Sequence, residues 1–184
     1  MKIVLAITGA SGAIYGIRTL EELKKAGCEV YLIISKNAKK IIKHETSYEL
    51  KDLISAADKY FEEDEISAEM ASGSFRYDGA AIVPCSLKTM GAIASGYADN
   101  LITRMSMCSL KEGRKIVIVP RETPLDLISL ENMVKVKKSG AVILPAMPAF
   151  YHRPESVDDI VNHVVGKILD QLGVEHELFK RWEG

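Results

Sequence analysis

Little in this chain points to metals, disulfides, membranes or nucleic acids. Cysteine is scarce, with three in 184 residues. Cys28, Cys85 and Cys108 are odd in number and form no CxxC pair, so no disulfide framework is expected. Four histidines are present, but His44, His163 and His176 fall in no HExxH or comparable spacing, and no metal site is expected. Neither sign of charge dominates: 24 lysines and arginines stand against 25 aspartates and glutamates, a formal net charge of -1. There is no basic block either, so nothing favours nucleic acid and the expected partner is a small molecule. No apolar run approaches the roughly 18 residues that span a bilayer. The longest, Ala141 to Tyr151, is interrupted by Pro145 and Pro148. No membrane span or secretory leader is expected, and a reducing cytoplasm fits the cysteine usage. A composition of 47% hydrophobic and 27% charged residues suits one compact domain over residues 1–184.

What the chain does have is a series of unalternated, valine- and isoleucine-rich runs of strand length. They lie at Lys2 to Ile7, Glu29 to Ser35, Ala80 to Val83, Ile116 to Val119 and Ala141 to Leu144. Such runs are how strands buried on both faces of a parallel sheet read. Helix-like segments separate them at Ala13 to Ala26, Asn37 to His44, Ser86 to Ser95 and Leu125 to Ser139, with Ser156 to Leu172 after the last. The alternation predicts right-handed crossovers and an α/β fold: an open, doubly wound parallel sheet between two helical layers, Rossmann-like or flavodoxin-like. Ala56 to Arg76 is the least regular stretch and reads as a loop or lid.

In that fold, ligands bind at the carboxyl ends of the strands. The first end, TGASGAIYG, turns through Gly9, Gly12 and Gly16 into a helix. This predicts a loop whose N–H groups and helix dipole favour a phosphate, with Ser11 adding a hydroxyl to the anion or to a reacting atom. NAD sites carry an acidic residue about 20 residues on to hold the ribose. Here the second strand ends in Ser35 and Lys36, which favours FMN or another mononucleotide over NAD.

Three other strand ends carry candidate chemistry. In PCSLKT, Ser86 is placed as an N-cap; Ser86, Lys88 and Thr89 either bond a flavin or merely cap the helix. Arg121 and Glu122 follow a buried strand and stand between Pro120 and Pro124, where a charged pair reads as part of a site. In AFYHRP, Tyr151 and Arg153 suit a phosphate, and the apolar residues before them suit a hydrophobic tail. His152 reads as a hydrogen-bonding or surface residue before it reads as a catalytic one.

These strings, together with ETS, ASGS, ADNLITR, LKEGRK, LENM and ILDQLG in the same order, resemble the UbiX/Pad-type flavin prenyltransferases over nearly the whole chain. The resemblance implies transfer of a dimethylallyl group from dimethylallyl phosphate or pyrophosphate to N5 and C6 of reduced FMN, without a metal. It implies prenylated FMN as the product, passed to UbiD-type decarboxylases, and a homo-oligomer, a dodecamer, with sites at subunit boundaries. It assigns Gly9, Ala10, Ser11, Ser35, Ser86, Thr89 and Arg104 to FMN, with Arg104 on the flavin phosphate. Lys111, Arg121, Glu122, Tyr151 and Lys167 fall to the prenyl phosphate, with Lys111 and Glu122 counted among the catalytic residues. Ser11 and Glu45 match groups implicated in proton transfer.

Two positions depart from the family pattern. Lys167 stands where many relatives have arginine, so a bidentate grip becomes a point charge. Ile66 to Met70 lacks the tryptophan that some relatives place before ASGS. Two alternatives remain: an FMN-dependent cysteine decarboxylase, whose PASANT and PAMN motifs this chain lacks, and a non-catalytic FMN-binding accessory subunit of a decarboxylase.

Overall fold

All five expected strands are present, and a sixth joins them. The structure, a computed structural model, describes residues 1–182. Its strands are β1 (Lys2–Ile7), β2 (Glu29–Ile34), β3 (Lys59–Glu62), β4 (Gly79–Cys85), β5 (Ile116–Pro120) and β6 (Val142–Ile143). They pair in parallel throughout, in the order β3-β2-β1-β4-β5-β6. The chain starts at the centre, builds outward to β3, then crosses back to β4. The topological switch therefore falls between β1 and β4, where such sheets open a crevice for ligands.

Burial on both faces explains the unalternated sequence. In β1, Ile3, Leu5 and Ile7 point into one apolar layer while Val4 and Ala6 point into the other. The first layer is closed by α1 (Ala13–Lys25), α2 (Lys36–Glu45), α3 (Leu50–Ala56) and α7 (Val157–Leu172), and the second by α4 (Leu87–Ser95), α5 (Leu101–Lys111) and α6 (Leu127–Lys138). Each Leu or Ile removed from water contributes about 1.5–3 kcal/mol, so the central strands anchor everything built on their ends. Gly16 lets α1 lie close to the sheet, since a Cβ there would collide with the Val83 carbonyl.

The segment from Ala56 to Arg76 is not simply a loop. It contains the edge strand β3 and a single 3-10 turn over Glu69–Ala71. In the sequence KYFE, Lys59 is exposed and the other three residues are half-buried, as suits an edge, and so the strand lacks the apolar run that marked the others. Two helices were also absent from the sequence reading. In α5 the buried residues include Thr103, Ser106 and Ser109. Ser106 and Ser109 donate to the carbonyls of Ile102 and Met105 one turn back, so hydroxyls occupy core positions and mask the helical periodicity. In α3 only Leu53 is buried.

Candidate active site

The ends of β1, β2 and β4 enclose a cleft of about 410 Å³ lined by Thr8, Gly9, Ser35, Asn37, Ser86 and Thr89, among others. This lies within the roughly 300–1,000 Å³ of small-molecule pockets. Two of its hydroxyls are helix caps: Ser35 accepts from Ala38 N–H and Ser86 from Thr89 N–H. Thr8 ties the switch point together. Its hydroxyl donates to the Pro84 carbonyl and accepts from Ser86 N–H, each at 2.8 Å. The far wall comes from α5, where Asn100 and Thr103 form a reciprocal capping box. Thr8, Asn37, Asn100 and Thr103 were not foreseen, although Asn-x-x-Thr ahead of an apolar run is itself a capping signature.

The glycine loop leads into α1. Gly12 adopts φ 94°, a left-handed conformation natural to glycine, and caps α1. The first N–H groups of α1 meet a carboxylate of the protein itself: Gly12 and Ala13 donate to Glu45 at 2.8 and 3.2 Å. Burial alone would raise the Glu45 carboxyl. Hydrogen bonds from Ser11, Gly12 and Ala13, with the Arg121 charge, outweigh it and hold the group below its usual range. The dipole at this helix end is thus answered internally.

Arg121 and Glu122 turn to different partners. Arg121 turns to the glycine loop and donates to the Ser11 carbonyl at 3.0 Å. Glu122 accepts from Thr123 N–H at 3.0 Å. The fold therefore gathers Ser11, Glu45 and Arg121, which are far apart in sequence, into one cluster. Beside it Arg121 and Glu122 border a second pocket, of about 340 Å³, with Leu125, Met133 and Met147 among its walls.

The remaining candidates lie elsewhere. Arg104 and Lys111 share an open cleft with Ser72, Gly73 and Ser74; Arg104 donates to the Ala71 carbonyl at 3.2 Å and does not line the Ser35–Ser86 cleft. Tyr151 stands edge-on to His152, His163 and Trp182. The imidazoles of His152 and His163 stack with centroids 5.0 Å apart. Burial, with His152 and Lys167 nearby, pushes the His163 imidazole down, in keeping with its acceptance of the Ala149 N–H at 3.4 Å. Lys167 faces Asp170 at 3.5 Å. Cys85 is fully buried, and burial pushes its thiol up, which leaves it no role as a nucleophile. Among the described residues no helix is long and apolar enough to cross a membrane.

A parallel sheet in this Rossmann order, with a hydroxyl-lined cleft at its switch point, is the architecture of a nucleotide-binding protein. The chain matches the Flavoprotein family over residues 1–169. It is 52% identical over 182 residues to the flavin prenyltransferase UbiX of Methanocaldococcus jannaschii, covering 99% of this chain and 98% of that one. Two solved structures are equally close in shape. AnUbiX (PadA1), in complex with FMN and dimethylallyl pyrophosphate, gives a TM-score of 0.98 at 44% identity, covering 100% of this chain and 97% of that one. A dodecameric FMN-dependent UbiX-like decarboxylase from Escherichia coli O157:H7 gives 0.97 at 47% identity with both chains fully covered. The chain belongs to the UbiX-type flavin prenyltransferases.

Proposed function

We infer that the protein joins a dimethylallyl group to N5 and C6 of reduced FMN and releases prenylated FMN for UbiD-type decarboxylases. The observation that carries this reading is a charged, apolar-walled pocket beside a polar cleft. Arg121 and Glu122 stand with Leu125, Met133 and Met147, a setting for a molecule with an anionic head and a hydrocarbon tail. Arg121 bonds the same loop whose Gly9 lines the Ser35–Ser86 cleft.

The cleft suits FMN by its size and by its hydroxyl and amide groups. Gly9, Ala10, Ser11, Ser35, Ser86 and Thr89 hold the flavin, and Arg104 holds its phosphate. Reduced FMN supplies the electron-rich atoms that accept the prenyl carbon. The chain's own residues stabilise the departing phosphate. Lys111, Arg121, Tyr151 and Lys167 are donors fixed before reaction, and one well-placed donor contributes about 3 kcal/mol to such a step. Glu122 orients that pocket. Ser11 and Glu45 move the proton released as the second bond forms. With its carboxyl held below the usual range, Glu45 is ionised at neutral pH and is the acceptor of that pair.

Lys111, Arg121 and Tyr151 occupy separate patches of one chain, so we place complete sites between copies of a homo-oligomer, a dodecamer. The outer face of α6 supports this, with Leu127, Ile128, Leu130 and Val134 all exposed, an apolar strip of the kind that marks protein contacts. The function is tested by anaerobic incubation with reduced FMN and either prenyl donor, followed by mass analysis of the extracted flavin. Flavin left unchanged by both donors would overturn the reading.

A further inference from the structure

Gly73 lies where the loop bearing Ser72 and Ser74 meets the end of α5. A Cβ at this position would stand 2.7 Å from Lys111 Nζ and would collide with Glu112 Oε1. Loop backbone and ammonium are thus in contact, and each limits where the other can sit. The loop is pinned by α5 and the turn after it. Arg104 and Cys108 both donate to the Ala71 carbonyl, at 3.2 and 3.1 Å, and Arg114 Nη2 donates to the Gly73 carbonyl. Arg114 is itself aligned. Its guanidinium lies over the Tyr77 ring, 4.6 Å from the centroid, and Tyr77 is a buried residue whose hydroxyl bonds Ser109 at 2.8 Å.

We propose that Arg114 is a positioning residue for phosphate departure: by gripping the Gly73 carbonyl it holds the loop against Lys111 and fixes where the ammonium meets the prenyl phosphate. The proposal rests on the role given to Lys111 above. A lysine at 114 would keep one donor but lose the planar stack on Tyr77 that sets its direction. Gly73 provides an independent handle. The atoms an added methyl would meet are the mobile ends of Lys111 and Glu112, so Gly73→Ala displaces the ammonium at little cost to folding.

The test uses the full-length oligomer with reduced FMN, following donor KM, kcat, flavin Kd and Tm for Arg114→Gln, Arg114→Lys, Gly73→Ala, Lys111→Ala and the Arg114→Gln/Gly73→Ala double variant. Arg114→Gln and Gly73→Ala are each expected to lower kcat and kcat/KM for dimethylallyl phosphate about tenfold, equivalent to about 1.4 kcal/mol, while flavin Kd stays unchanged. Arg114→Lys should recover part of the loss. The double variant should lose less than the product of the single effects, because both act on one contact. An unchanged kcat/KM in Gly73→Ala, or an Arg114→Gln variant altered only in Tm, overturns the proposal if Lys111→Ala is impaired. If Lys111→Ala is itself unimpaired, the donor reading beneath the proposal fails.

Discussion

The cleft at Ser35 and Ser86 and the patches that carry Lys111, Arg121 and Tyr151 are assembled in opposite ways. The cleft is made by strand ends that the two apolar layers hold in fixed register within one chain. The patches sit at the last residue of α5, just past the β5 end and on the loop before α7, with Arg121 and Lys111 lining separate pockets. A flavin needs a rigid floor that a single sheet supplies. A leaving phosphate needs several cations at once, and bringing those together is easier between chains than within one.

The strongest way to sharpen this contrast is Lys111→Ala. It should lower prenyl transfer at least tenfold, the loss of one preorganised donor worth more than about 1.4 kcal/mol, and leave flavin binding intact. A variant that loses both would merge the two regions into one. Next in size is a mixing experiment. Lys111→Ala and Tyr151→Phe subunits, dissociated and reassembled together, should turn over faster than either variant alone; failure of the mixture to exceed its components would put both residues in a site of one chain. Ser86→Ala tests the other side of the contrast. Loss of an N-cap costs about 1 kcal/mol, and flavin retention should weaken while the donor KM of flavin-saturated enzyme holds. Thermal melts and flavin titration read both effects.

In stability, Glu45→Gln should give a small change, and one that depends on pH. The native carboxyl is held below its ordinary value of 4.5, its burial outweighed by bonds from Ser11, Gly12 and Ala13 and by Arg121. Its stabilising contribution is complete above that ordinary value and is lost as pH falls through the lowered one. The variant should therefore melt below the parent at pH 7, with the gap closing in acid. A gap that widens on acidification would contradict the capping role.

Legibility in the sequence followed burial. Strands sealed on both faces left runs such as IVLAI and IVIV that admit little else, so the sheet and its ligand edge were readable. Ser86 was readable because a cap is local chemistry, settled within four residues; Ser35 was readable as a strand end, and its cap on α2 was not. Helix α5 was hidden by Ser106 and Ser109, whose hydroxyls bond inside the helix and behave as core. The link from Glu45 to Gly12 spans 33 residues and that from Arg121 to Ser11 spans 110. No periodicity encodes such contacts; only packing of helices on a finished sheet creates them. Resemblance named Glu45, but not the helix end it would occupy.

That occupied helix end bears on how the enzyme lives among ions. A cell is crowded with phosphate, sulfate and carboxylates, and an open helix start beside a reactive pocket would collect them. By carrying its own counter-ion on Gly12 and Ala13, the protein leaves α1 with little appetite for solutes that merely bear charge. Selectivity then falls to molecules that satisfy the hydroxyl cleft and the apolar pocket together, and an inhibitor built only around a phosphate would find one of its natural footholds already taken.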